Sequence, residues 1–156
     1  MTAMTAVTGM RFVDTNVLLY SVSTDPAEAG KAAVAAELLG AADLCLSVQV
    51  LQEFYVQATR ATRAEPLPHG DAVAFIATWQ RFRVQEVSIA LLREALTATR
   101  RWRMSYWDAA IIEAARMLDC DQLLTEDLNA GQVFDGVTVV NPFSALTDAP
   151  PGAIPG

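Results

Sequence analysis

The strongest constraint on the fold of this chain is an alternation: short apolar runs of strand length are separated by segments with helical spacing. Arg11-Phe12-Val13, Leu44-Cys45-Leu46, Val84 to Val87, Gln122 to Thr125 and Val137 to Val140 read as strands. Between them the spacing predicts helices: through Val17 to Tyr20, from the Asp25-Pro26 start to Leu39 and Gly40, and over 48–63, 71–81 and 89–101. A further helix opens near Ser105, where Trp107, Ile111, Ala114, Ala115 and Leu118 fall at i, i+4, i+7, i+8 and i+11, an amphipathic stripe. Strands separated by helices predict an α/β fold, a parallel sheet covered on both faces. In open sheets of this kind the ligand site lies outside the carboxyl ends of the strands. That is where chemistry is to be sought.

The 156 residues suit one domain, expected over 10–146. Residues 1–9 read as a loose leader with Met1, Met4 and Met10 as possible starts, and the Pro/Gly-rich 147–156 as a disordered tail. Hydrophobic residues at 53% and charged residues at 19% exclude a disordered chain. The longest stretch without Asp, Glu, Lys or Arg is the twelve residues 136–147. A membrane-spanning helix needs about 20 apolar residues. The start carries neither a basic region nor a long apolar run, so it does not read as a secretory signal. Cys45 and Cys120 lie in apolar surroundings and read as buried thiols of a reducing, cytoplasmic compartment. The net charge of -7 argues against a dedicated nucleic-acid binder unless the acids are concentrated in a metal site. Arg81, Arg83, Arg93, Arg100, Arg101 and Arg103 form a local basic cluster, readable either as phosphate contacts or as a solvated helix face.

Several chemistries are missing. Gly30-Lys31 lacks the spacing and the Ser or Thr of a phosphate-binding loop, and there is no GxGxxG. His69 is the only histidine and sits in a Pro68-His69-Gly70 loop, without a GxSxG nucleophile elbow elsewhere. A DxD phosphatase would need a carboxylate where Asn16 stands. What remains is acidic. Asp14 follows the first strand, Glu53 lies two turns into the helix after the second, Asp108 is in the first turn of the helix near Ser105, and Asp127 lies two residues past Thr125. Singly, Asp14 and Asp127 read equally as caps or turn residues, and Asp108 as part of a capping box with Ser105. Glu53 sits among Val50, Leu51, Phe54 and Tyr55, where an unpaired carboxylate is costly. Jointly, four carboxylates on one sheet edge would repel each other, and a divalent cation removes that penalty. A set of oxygen ligands without Cys or His selects Mg²⁺ or Mn²⁺ over zinc. Such a site can activate water and stabilise charge on a phosphodiester.

The segments that carry these acids resemble the PIN-domain family. Phe12-Val13-Asp14-Thr15-Asn16-Val17-Leu18-Leu19-Tyr20 looks like its opening, Glu53 in Leu51-Gln52-Glu53-Phe54 like its second acidic motif, and Ser105-Tyr106-Trp107-Asp108-Ala109-Ala110-Ile111-Ile112 like its third. Leu123-Leu124-Thr125-Glu126-Asp127-Leu128-Asn129-Ala130-Gly131, followed by Val139-Val140-Asn141-Pro142-Phe143, looks like the last motif and closing strand. Asp-Thr-Asn alone is a weak signal; four motifs in this order over residues 10 to 145 are a strong one. Compact PIN proteins of this kind are similar to the VapC toxins of toxin–antitoxin pairs. The resemblance implies a three-layer α/β/α sandwich with a mostly parallel five-stranded sheet. It implies Mg²⁺- or Mn²⁺-dependent endoribonuclease activity on an RNA substrate, a homodimer and a cognate antitoxin. Asp14, Glu53, Asp108 and Asp127 match the acidic quartet of metal ligands, and Asn16 and Thr125 match polar residues that support it. A housekeeping RNA-processing PIN nuclease and a non-catalytic PIN-like scaffold are the competing readings. Trp79, Trp102, Tyr106 and Trp107 read as core or dimer packing ahead of base stacking.

Overall fold

The computed structural model describes residues 9–147, so nearly all of the expected leader and tail lies outside the described residues. Six strands form one sheet: β1 (Met10–Val13), β2 (Leu44–Ser47), β3 (Arg83–Gln85), β4 (Cys120–Leu124), β5 (Val133–Phe134) and β6 (Val137–Val140). Their order is β3-β2-β1-β4-β6-β5, and every pairing is parallel except β5 with β6. Seven α-helices accompany them: α1 (Thr15–Ser21), α2 (Ala29–Leu38), α3 (Val48–Ala58), α4 (His69–Trp79), α5 (Ile89–Trp102), α6 (Tyr106–Met117) and the short α7 (Ser144–Thr147). The fold is a three-layer α/β/α sandwich in which α6 packs on α5, β2 and β4, while α1 packs on α2 and α3. No helix among the described residues is long and apolar enough to cross a membrane.

The sheet has one strand more than expected. Phe134-Asp135-Gly136-Val137 closes a hairpin, with φ of 47° at Asp135 and 89° at Gly136. Positive φ at both central positions is the turn that an Asp-Gly pair favours, because its twist matches the flanking strands. The helix expected over 48–63 ends at Ala58. It buries Val50, Leu51, Phe54 and Ala58, whereas 59–65 offers no large apolar residue to bury. The Thr59 hydroxyl instead donates to the Tyr55 carbonyl at 2.7 Å. The third strand lies at Arg83–Gln85, short of the expected Val87, which is exposed.

The central core is built by strands that are buried on both faces. Phe12, Val13, Leu44, Cys45, Leu46, Leu123 and Leu124 are all buried, as the continuous apolar runs require for a parallel sheet between helices. Both cysteines are free and buried. Trp79 packs edge-on against Phe54 at 4.7 Å and near-parallel to Phe75 at 5.7 Å. The α6 stripe buries Ile111, Ala114, Ala115 and Leu118, but its first member does not join the core: Trp107 is 62% exposed.

From β1 the chain builds outward to β2 and β3 on one side, and later to β4 and β6 on the other. The order therefore reverses between β1 and β4, and crevices at such switch points hold ligands. The register places the last residues of these strands, Val13 and Leu124, side by side.

Candidate active site

That register brings the first acidic residue against the end of β4. The Asp14 N–H donates to the Leu124 carbonyl at 3.1 Å. Its side chain caps α1, with Oδ1 accepting from the Thr15 N–H at 2.7 Å. Oδ2 accepts from the Thr125 hydroxyl at 2.9 Å. Burial pushes the Asp14 carboxyl up to about 6; these two bonds oppose the rise, and the Asp127 and Glu53 charges add to it.

Thr125 is fully buried and connects three functional groups through one oxygen. Besides donating to Asp14, Oγ1 accepts from Asn16 Nδ2 at 2.8 Å and from the Asp127 N–H at 3.0 Å. Asn16 Nδ2 also reaches Asp127 Oδ2 at 3.1 Å. The Asn16 Oδ1 atom is buried and has no partner among the described residues. Glu53 arrives on α3, whose start is fixed by the Ser47 hydroxyl accepting from the Val50 N–H at 3.2 Å. Its two oxygens accept from the Thr15 hydroxyl at 2.7 Å and from Gln49 Nε2 at 3.1 Å. Asp108 stands in the first turn of α6, where the Ser105 hydroxyl accepts from its N–H at 3.1 Å. The cap is thus made by the serine, and the Asp108 carboxylate is left without a hydrogen bond among the described residues.

Asp14, Glu53, Asp108 and Asp127 line one cleft of about 160 Å³, together with Thr15, Asn16 and Trp107. The carboxylates share this space without converging. Among the described residues, no three Asp, Glu, His or Cys side chains close into a ready-made metal cage. Mg²⁺, however, keeps several of its waters and needs only one or two protein carboxylates. An all-oxygen set of four carboxylates and an unpartnered amide oxygen therefore fits a hydrated hard dication.

Glu126, next to Asp127 in the chain, forms a linked group with Tyr20 and Lys31. Tyr20 donates to Glu126, and Lys31 Nζ reaches Glu126 Oε2 at 2.8 Å and the Tyr20 oxygen at 3.3 Å. The group ties α1 and α2 to the segment that carries Asp127. The arginine cluster lies elsewhere. Arg81, Arg83, Arg93, Arg100, Arg101 and Arg103 do not line the cleft. Arg81 donates to the Leu39 carbonyl at 2.6 Å, and Arg101 makes a two-pronged pair with Asp135 at 2.7 and 2.9 Å. The sequence reading passed over Thr15 and Gln49, which hold Glu53. Gln49 had a signal, since it stands four residues before Glu53 on one helix.

Fold and site together define an α/β protein with an acidic cleft at the switch point of a parallel sheet. The family model of the PIN domain matches residues 11–133, and the chain belongs to that family. Among solved structures, the fold is similar to a toxin-antitoxin complex from Klebsiella pneumoniae, at 17% identity and TM-score 0.63, covering 85% of this chain and 97% of that one. It is similar to the Mycobacterium tuberculosis sarcin-ricin loop cleaving toxin VapC20, at 21% identity and TM-score 0.57, covering 72% and 86%. A third is VapBC2 from Rickettsia felis bound to a fragment of its promoter DNA, at 12% identity and TM-score 0.57, covering 83% and 96%. No curated protein sequence matches the chain. At these identities the structural likeness is one of fold.

Proposed function

We propose that this protein is a metal-dependent endoribonuclease and the toxin of a toxin–antitoxin pair, acting as a homodimer. The observation that carries the reading is the meeting of four carboxylates from four separate chain segments in one cleft at the sheet's switch point. The toxin assignment is supported by the fold shared with toxin-antitoxin proteins such as that of Klebsiella pneumoniae.

Asp14 and Asp108 would hold a Mg²⁺ or Mn²⁺ most directly, with Glu53 and Asp127 completing the site through waters. When bound, the ion lowers the pKa of water and neutralises charge on a phosphodiester. The chain's own part is placement. The Thr15 N–H and the Thr125 hydroxyl fix both Asp14 oxygens, so that carboxylate cannot swing away. Asn16 bridges Thr125 and Asp127 and sets the distance between the segments after β1 and β4. Thr15 and Gln49 hold Glu53 in the same cleft. No side-chain nucleophile is needed, and His69 is engaged with the Tyr55 hydroxyl at 2.9 Å, away from the cleft. Hydrolysis of this kind leaves 5′-phosphate and 3′-hydroxyl ends.

The test is incubation of the purified protein with structured RNA in Mg²⁺ or Mn²⁺, then in EDTA, beside an Asp14→Asn variant. Cleavage that needs the ion and is lost in the variant supports the reading. A variant that cuts as well as the wild type refutes it.

A further inference from the structure

The carboxylate cleft has two flanks that the reaction as described leaves unused. On one, the largely exposed Trp107 indole lines the cleft. The Tyr106 ring packs against it in a T-shaped contact at 5.0 Å, and Gln49 Nε2 donates to the Trp107 backbone carbonyl at 3.3 Å, which fixes the main chain beneath the indole. Trp side chains are strongly buried on average, so an indole left open beside a site calls for a partner. On the other flank lies a second cleft of about 670 Å³ that shares Asn16, Leu19 and Gln57 with the first. Arg60 and Arg63, from the turn where α3 ends early, line it. Neither guanidinium makes a hydrogen bond or an ion pair among the described residues. Asp25, Glu28 and Glu65 also line this cleft, but each already accepts a bond, from the Ala27 N–H at 2.9 Å, the Ser23 hydroxyl at 2.6 Å and the Thr24 hydroxyl at 2.7 Å. Those donors are neutral and leave the carboxylates charged, so Arg60 and Arg63 are the cationic groups of this lining that a phosphate can meet.

We propose that Trp107 and the Arg60–Arg63 pair bracket a single-stranded RNA segment across the carboxylates. A base on one side of the scissile bond stacks on the Trp107 indole, and phosphates on the other side lie along Arg60 and Arg63. The proposal rests on the endoribonuclease reading and adds the path of its substrate. Stacking on a side chain requires an unstacked base, which a loop or single strand offers and a duplex does not. On a chain of net charge -7, phosphate contacts must come from local, unpaired cations.

The test is binding of a labelled single-stranded RNA, spanning a mapped cleavage site, to the full chain in EDTA over a range of salt. Cleavage in Mn²⁺ is followed in parallel. Trp107→Leu should weaken binding roughly ten-fold or more and leave the slope of log affinity against log salt unchanged. The Arg60→Gln/Arg63→Gln double variant should flatten that slope by about 1.4, about 0.7 for each phosphate no longer neutralised. Arg100→Gln, on an exposed helix end away from both clefts, should do neither. Wild-type affinity in the Trp107 variant, or loss of self-association in place of RNA binding, overturns the stacking platform. An unchanged salt slope in the arginine variant overturns the phosphate track. A wild-type chain that cuts no RNA in either ion overturns the underlying reading instead.

Discussion

Replacing Asp14 by Asn should change how stability depends on pH in a way that no loss of activity can mimic. The Asp14 carboxyl rises from 3.8 to about 6 on folding, chiefly because it is buried. At about 1.36 kcal/mol per unit, that shift is a penalty of up to about 3 kcal/mol once both states are ionised. The sign follows from the direction. Below pH 3.8 both states keep the proton and there is no penalty; between 3.8 and about 6 the unfolded chain releases it first, and stability falls as pH rises. Linkage gives a penalty of about 1.6 kcal/mol at pH 5 and about 3 kcal/mol at pH 7.5. Asn carries no charge, so its unfolding free energy relative to wild type should rise by about 1.4 kcal/mol across that window. A constant offset is also expected. The Thr125 hydroxyl already accepts two bonds and donates to Asp14, so an Asn amide turned toward it meets no free acceptor. The pH dependence, not the absolute difference, carries the information. Urea denaturation of both proteins in EDTA at pH 5, 6 and 7.5 measures it, and starting at pH 5 stays above the pI near 4.5. Adding Mg²⁺ at pH 7.5 should stabilise the wild type more than the variant. Parallel pH curves for the two proteins would show that Asp14 ionises in the fold as it does in water, and the reasoning about the cleft would fail.

Three further outcomes rest on the same structure. Thr125→Val keeps the shape of a fully buried side chain but removes the hydroxyl shared by Asp14, Asn16 and Asp127; it should cost about 1–3 kcal/mol in denaturant unfolding and abolish RNA cleavage, while Thr125→Ser retains both. Gly136→Ala meets no neighbour within 4 Å, yet φ is +89°, so the cost should be purely backbone, about 1 kcal/mol in thermal unfolding, with cleavage unchanged. Trp79→Ala empties the aromatic cluster with Phe54 and Phe75 and should lose about 3–5 kcal/mol by urea titration.

The fold class was legible because buried parallel strands must be apolar throughout, and Phe12-Val13, Leu44-Cys45-Leu46 and Leu123-Leu124 satisfy that requirement. Placing Asp14 and Asp127 just past strand ends then needed only the rule about carboxyl edges, whereas Glu53 and Asp108 stand on helices and were joined to them by the resemblance to the PIN motifs. The β5–β6 hairpin was missed although Asp135-Gly136 signals its turn, because β5 has only two residues and makes no periodic run. The end of α3 was overrun because 59–63 contains nothing that forbids a helix; it merely has nothing to bury, and packing decides helix length. For the arginines, crowding along the sequence does not say which surface each side chain joins. Density along the sequence drew notice to 81–103, whereas Arg81 and Arg101 are occupied by a carbonyl and by Asp135. Arg60 and Arg63 carry no sequence signal, because their value comes only from where the turn after α3 lies.

Trp107 shows most clearly what periodicity leaves out. Its phase puts it on the same stripe as Ile111, Ala114 and Leu118, which are buried. Phase specifies the side of a helix that faces the sheet but not how far the sheet extends beneath it. The first turn of α6 stands at the carboxyl edge, so the inward-facing position there meets the cleft instead of the core. The same placement brings Asp108, one residue on, to the cleft, so the exposed indole and the available carboxylate have one cause. Asp14 makes the complementary point: capping α1 and serving the cleft are not rival readings, since one oxygen takes the Thr15 N–H while the other takes the Thr125 hydroxyl. The strand-to-helix turn that a cap requires is the geometry that delivers a carboxylate to the sheet edge, and fold and chemistry draw on one residue there.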